Sequence, residues 1–178
     1  EQFELMRQAG AVVARALAEI SAAVTPGVTT KELDAIAATY IHDAGATPSF
    51  LGYHGYPASI CVSVNSEVVH GIPGPRVLGD GDLVSVDCGA IVDGWHGDAA
   101  VSVAVGSVAP EVAALSEATR AAMMAGIGAA VAGVHQDVAR FEARHPRGAD
   151  EGGVPLAYVD EGDPELAAAL SKELQALL

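Results

Sequence analysis

The sequence predicts an α+β fold in which helices pack on one face of a strongly curved antiparallel sheet, and three observations carry that prediction. The stretch Leu83 to Val105 (LVSVDCGAIVDGWHGDAAVSVAV) reads as two half-buried strands around Asp93-Gly94, a pair that suits a two-residue turn because both central positions need positive φ. Ahead of it, two segments carry apolar residues at helical spacing with break and cap signals between them. A further segment, Ala58 to Val64, alternates like a strand.

With 178 residues, about half of them apolar, the chain is long enough for one large domain or two small halves around a sizeable core. The formal net charge is −14, from 23 acidic against 9 basic residues, which argues against a nucleic-acid partner held through a basic patch. Two cysteines, Cys61 and Cys88, are too few for a disulfide framework and have no zinc-like pairing, so a reducing compartment is expected. No signal-peptide pattern opens the chain, and its longest uncharged run, Ala121 to Val134, is shorter than the roughly 20 residues a span requires. The expectation is a cytoplasmic protein with no membrane association.

In order along the chain, Leu5, Ala9, Val12, Val13, Ala16, Leu17 and Ile20 lie on one face of a helix over residues 1–24. Pro26-Gly27 breaks it, and Thr29 with Glu32 forms a capping-box pattern for a second helix with the stripe Leu33, Ile36, Ala37, Tyr40 and Ile41, closed by Gly45. Pro48 to Pro57, rich in Gly, Pro and aromatics, reads as a structured loop. After the strand Ala58 to Val64, Asn65-Ser66 turns into Glu67 to His70, which leaves His70 at a strand end before the rigid Gly-Ile-Pro-Gly-Pro segment. Gly79-Asp80-Gly81-Asp82 leads into the hairpin, and Asp82 and Asp93 read as turn residues.

A third helix is predicted from about Pro110 to Ala132, with Pro110 in a first turn where its missing N–H is not needed. Ala132-Gly133-Val134 and the helical pattern Val138 to Glu142 then echo the first break, which is either the start of a weak internal repeat or a coincidence of pattern. Beyond it, Arg144 to Asp163 is polar with one strand-like piece at Val154 to Val159, and Pro164 to Leu178 reads as a short helix.

The hairpin has a chemical consequence. With Asp93-Gly94 as its loop, Val92 faces Trp95, Asp87 lies opposite Ala100, and Gly89 lies opposite Asp98. Asp87 and Asp98 are then diagonal neighbours on one face, roughly 7 Å apart at the backbone. Two acids converging among Val, Ile and Ala repel each other and are costly to desolvate unless a positive group sits between them, and a divalent metal is the natural candidate. The alternative is a pair of ordinary edge and turn acids on a solvated face. His96 is expected on the opposite face from Asp98, in a structural role. Cys61 and Cys88 read equally as small buried apolar residues.

Five segments, Tyr53-His54-Gly55-Tyr56-Pro57, Cys61-Val62-Ser63-Val64-Asn65, Val69-His70-Gly71-Ile72-Pro73, Asp80-Gly81-Asp82, and Val86-Asp87-Cys88-Gly89 with Asp93-Gly94-Trp95-His96-Gly97-Asp98, resemble the type I methionine aminopeptidases in order and spacing. The resemblance runs from roughly Leu5 to Met124. It implies a pita-bread (creatinase/aminopeptidase-like) fold, here one half of it, around a dinuclear metal site that removes the initiator methionine from nascent proteins. It further implies metal ligation by Asp87 and Asp98, a substrate-contacting and proton-transferring role for His70, and a methionine pocket lined by Tyr53, Tyr56 and Cys61 with Phe50 nearby. His54 falls at the pocket mouth. Two divalent ions, Co, Mn, Fe or Zn, would share a water, and oxygen ligands leave the choice among them partly to availability. The partners implied are the N-terminal Met of a peptide or nascent chain and proximity to the ribosome.

Within these 178 residues the family's second-half segments, which carry one histidine and two glutamates as ligands, do not recur. His135, Glu142, His145, Asp150 and Glu151 sit in no matching motif, so no ligand role is transferred to them. The expected organisation is residues 1–145 as the first half plus the start of the second repeat, and 146–178 as a divergent tail with a short helix. An apolar sheet edge or face left exposed predicts homo-oligomerisation. Two functional readings follow: a metal-dependent methionine aminopeptidase, or a truncated, non-catalytic relative that binds a peptide or partner.

Overall fold

The computed structural model describes residues 2–129. The helical pattern Val138 to Glu142, the strand-like piece Val154 to Val159, the helix over 164–178 and the boundary at 145/146 lie outside the described residues. The described elements are α1 (Gln2–Ala23), α2 (Thr30–Asp43), β1 (Thr47–Pro48), a single 3₁₀ turn (Tyr53–Gly55), β2 (Ile60–Val64), β3 (Leu83–Val92), β4 (Trp95–Ala104) and α3 (Pro110–Ala129).

α2 begins where its cap predicts. The Thr29 hydroxyl accepts from the Glu32 N–H at 3.2 Å while the Glu32 carboxylate accepts from the Thr29 N–H at 2.8 Å, so the capping box is closed in both directions. The turn before β3 is also built from side chains. Asp82 accepts from the Gly79 N–H at 2.9 Å and from the Asn65 amide at 2.8 Å, and Asn65 in turn accepts from the Leu83 N–H at 2.9 Å. This agrees with the turn role expected of Asp82.

β3 is the centre of an open antiparallel sheet. β2 pairs along one edge of it, β1 continues that edge, and β4 pairs along the other. The hairpin register runs from Val92↔Trp95 through Gly89↔Asp98 and Asp87↔Ala100 to Leu83↔Ala104, as the turn residues predict. Asp93 and Gly94 take φ of 48° and 81°, the left-handed values that a two-residue turn needs to match the twist of its strands.

Because cross-strand partners share a face, the register sorts the side chains into two sets. Ile60, Val62, Val64, Val84, Val86, Cys88 and Ala90 are buried beneath α1 and α2, against Val13, Leu17, Ile20, Leu33 and Ile41. Cys61, Ser63, Ser85, Asp87, Gly89, His96, Asp98, Ala100 and Ser102 form the other face. On β4, Asp98, Ala100 and Ser102 are exposed. Among the described residues the large exposed apolar side chains lie off the strands: Phe3 and Met6 at the start of α1, Leu51 and Tyr53 around the 3₁₀ turn, Val68, Val69, Ile72 and Val77 between β2 and β3, and Leu115, Met123, Met124 and Ile127 on α3. Residues up to Gly128 form one compact unit, and among the described residues no helix is long and apolar enough to cross a membrane.

α1 sits directly on β4 at Gly97, where a Cβ would lie 2.5 Å from the Ala9 carbonyl carbon and 2.6 Å from the Gly10 nitrogen. These are backbone atoms of a helix, so they cannot swing aside, and any side chain would push α1 away from the hairpin that carries Asp98. Gly97→Ala is therefore expected to lower the unfolding free energy in urea by about 2 kcal/mol, the ordinary cost of forcing one methyl into a packed contact. A midpoint equal to that of the unsubstituted protein would show that α1 is not seated there.

Candidate functional site

Asp87 and Asp98 reach the same side of the sheet from adjacent strands, with Gly89 between them as the register partner of Asp98. Asp87 is half-buried and Asp98 is exposed. Burial raises the Asp87 pKa above the usual carboxylate range, and the neighbouring charge of Asp98, together with the hydrogen bond that a protonated Asp87 donates to it, adds to the rise. The charge of His70 and the Cys88 backbone act the other way. The register itself makes Asp87 and Asp98 diagonal neighbours on one face, since Asp87 pairs with Ala100 and Asp98 with Gly89.

Two hard oxygen donors that repel each other at a half-buried position fit a divalent cation, which would relieve the repulsion and replace the lost hydration. Among the described residues no third His, Cys, Asp or Glu joins them in a metal-holding cluster. Asp87 and Asp98 are thus a fitting part of a donor set rather than a whole one.

His70 is exposed, and its backbone is set beside β2 by its neighbour. The Val62 N–H donates to the Gly71 carbonyl at 2.9 Å, and a Cβ on Gly71 would fall 2.1 Å from the Val62 carbonyl oxygen, so only glycine fits there. Tyr56 lies under this contact. Its hydroxyl is 3.1 Å from both the Ile60 and the Gly71 carbonyl oxygens, with one proton to donate between them. Burial pushes the Tyr56 phenol well above its ordinary range, and the adjacent Cys61 thiol adds to this.

Cys61 is buried on the acid-bearing face, directly opposite Asp87 in the β2–β3 register. Its thiol is pushed up, first by burial and then by the two aspartates, while Tyr56 opposes the shift. Cys88 is different. It lies on the helix-facing side, fully buried, with its thiol pushed up to about 12, mainly by burial, and it behaves as a small core residue.

Phe50 is brought to the acids through a second close approach. A Cβ on Gly89 would meet Ser49 Cβ at 2.8 Å and the edge of the Phe50 ring at 2.9 Å, while the Ser49 N–H donates to the Gly89 carbonyl at 2.9 Å. Tyr53 stands apart from this group. It is exposed in the 3₁₀ turn, its ring edge-on to His54 at 4.4 Å between centroids.

The expectation for His96 is corrected here. His96 pairs with Ile91 and Asp98 with Gly89, so the two share one face, because side chains two apart on a strand point the same way. His96 Nδ1 lies 3.0 Å from the Ser49 hydroxyl, which ties β4 to the segment lying over Gly89. Ser49 and Ser63, which also faces the acids, were not singled out from sequence. Serine is too common in loops and strands to signal such contacts without the fold.

The family model for metallopeptidase family M24 matches residues 4–146. Methionine aminopeptidase 1 of Mycobacterium tuberculosis is 59% identical over 133 residues, covering 74% of this chain and 50% of that protein. The corresponding Bacillus subtilis protein is 48% identical over 126 residues, covering 71% and 51%. The crystal structure of methionine aminopeptidase from Rickettsia prowazekii superposes with a TM-score of 0.69 at 42% identity, covering 71% of this chain and 51% of that one. The described residues accordingly form part of the pita-bread fold, and the chain spans about half the length of the curated relatives it matches.

The raised Asp87 pKa has a consequence for stability without metal. A carboxyl whose pKa is higher folded than unfolded binds its proton more tightly in the folded state. Its favourable contribution is complete below the unfolded value of about 3.9 and is lost as pH rises through the folded value. Metal-free Asp87→Asn is therefore expected to unfold at a higher temperature than the unsubstituted protein at pH 7, with the gap closing as pH falls toward 4. A gap that is constant with pH would show that the ionised carboxylate is not the source.

Proposed function

The chain belongs to metallopeptidase family M24, and from that premise we propose that it carries the first half of the catalytic centre of a methionine aminopeptidase, which removes the N-terminal Met from peptides and nascent proteins. The observation that carries this reading is the convergence of Asp87 and Asp98 on one sheet face within electrostatic reach of His70. The names of the relatives favour the enzymatic reading over a non-catalytic binding module.

A metallopeptidase family implies divalent metal ions, and Asp87 and Asp98 are the residues here that would hold them, two per site, with Co, Mn, Fe or Zn as the candidates. When bound, such ions supply Lewis acidity toward a carbonyl and lower the pKa of water toward neutrality. His70 would hydrogen-bond the peptide beside the acids and move a proton at an imidazole nitrogen to the departing amine. Tyr56, Cys61 and Phe50 offer the apolar floor for an unbranched thioether side chain, with Tyr53 at the rim. The hydroxyl of Tyr56 is engaged by backbone carbonyls, so it is the ring rather than the oxygen that is offered to substrate.

We further propose that residues 1–145 form the first half plus the start of a second repeat, and that the protein works in the cytoplasm near the ribosome and associates with copies of itself through the open sheet. The strongly acidic composition supports the absence of direct nucleic-acid binding.

Calorimetric titration of the metal-free protein with Mn²⁺ and Co²⁺, followed by a Met-Ala-Ser cleavage assay on the same sample, tests the proposal. Tight binding of about two ions with release of Met would mean that residues beyond Asp87 and Asp98 complete the donor set. Weak binding without release would leave only a half-site. Asp87→Asn is expected to abolish tight binding, whereas Asp93→Asn, in an exposed turn that asparagine adopts readily, should leave it unchanged. Equal metal affinity in the two variants would refute the assignment of Asp87.

A further inference from the structure

We propose that Ser63 is a positioning residue for His70, its single hydroxyl clamping the peptide groups on both sides of that histidine. Ser63 is 3% exposed, is the next-to-last residue of β2, and faces the same side as Cys61 and Asp87. Its Oγ donates to the Val69 carbonyl at 2.7 Å and accepts from the Gly71 N–H at 3.0 Å. The two partners are the carbonyl immediately before His70 and the N–H immediately after it. A hydroxyl is the smallest group that can serve as donor and acceptor at once, and here both capacities go to one residue's flanks.

The clamp has something to hold. Val69 has φ of 42°, a left-handed value that a β-branched residue rarely adopts, and the His70 N–H donates back to the Val68 carbonyl at 2.9 Å, closing a tight three-residue turn. Val69 is 62% exposed, so burial of its own side chain does not stabilise the turn. The contacts that do are from β2, namely the Ser63 hydroxyl and the Val62 N–H on the Gly71 carbonyl. Without the hydroxyl, Val69 is free to return to negative φ. That rotation would swing the following residue, His70, away from its place near Asp87. A strained turn maintained by a buried side chain next to a reacting group is the arrangement expected where position matters more than local stability.

The role assigned to His70 comes from the proposed function, so the test separates the two. In the full 178-residue chain the sign of φ at Val69 is read by its ¹³Cα and ¹³Cβ shifts and residual dipolar couplings, with no turnover required. Ser63→Ala is expected to move Val69 out of positive φ and to lower kcat on Met-Ala-Ser by about tenfold or more, with KM within about twofold, as for a misplaced reacting group. Ser63→Thr keeps the hydroxyl and is expected to keep both φ and kcat within about threefold. Adding Val69→Asn to Ser63→Ala is expected to restore both in part, because asparagine tolerates left-handed φ. Should Ser63→Ala not fold, Ser63→Cys, whose thiol is a weaker donor and acceptor, is expected to show the same changes in smaller measure.

Val69 remaining at positive φ in Ser63→Ala would overturn the proposal. So would a proportional change in kcat and KM, or a Val69→Asn that restores φ without restoring kcat. If the unsubstituted chain releases no Met while Ser63→Ala still shifts Val69, the aminopeptidase reading fails and the clamp stands.

Discussion

The pairing of β3 with β4 in one register is the constraint on which the core, the helix packing and the candidate site all depend. Side chains alternate across a strand, so a slip of β4 by one residue against β3 would turn Asp98 toward the helix-facing core and bring Val101 to the other face. Burying that carboxylate with no partner would cost a large share of the stability of a domain of this size. The register is held at one end by left-handed Asp93-Gly94 and along its length by the valines that meet beneath α1. The apolar residues that stabilise the fold and the acids that define the site are thus opposite faces of the same ladder.

A sheet used in this way needs its helices on one side only, and the glycines show how closely that is enforced. Gly97 lets α1 sit on the hairpin from the core side, while Gly89 lets Ser49 and Phe50 lie on it from the other. Gly71 does the same for the segment carrying His70. Each is a place where two backbones or a backbone and a ring come within a distance that a methyl group would forbid. These contacts bring Phe50 and His70, remote in sequence from the hairpin, to the two aspartates.

Electrostatics and hydrogen bonding divide the work at the site. The acids are left in mutual repulsion, with Asp87 held above its ordinary pKa by burial and by Asp98, a state that favours a cation. The surrounding polar groups, in contrast, are satisfied. Tyr56 is engaged with two carbonyls, Ser63 with the flanks of His70, and His96 with Ser49, and among the described residues no buried side-chain polar atom lacks a partner. A rigid, satisfied frame around an unsatisfied charge pair is what a metal-dependent site requires before its metal arrives.

The sequence by itself determined the parts of this protein that are governed by neighbours along the chain. The capping box at Thr29 and Glu32, the break at Pro26-Gly27, the hairpin at Asp93-Gly94 and the face shared by Asp87 and Asp98 all follow from contacts a few residues apart or from the period of two. The shared face of His96 and Asp98 follows from the same period, and the contrary expectation was an error of alternation rather than a limit of the sequence. It took the packed fold to set Cys61 opposite Asp87, to engage the Tyr56 hydroxyl with backbone, to leave Tyr53 exposed, and to bracket His70 with Ser63. Those facts depend on which strand lies beside β3 and on how closely loops approach it. Such pairings are chosen by the packing of the whole core, and no local pattern of residues encodes them.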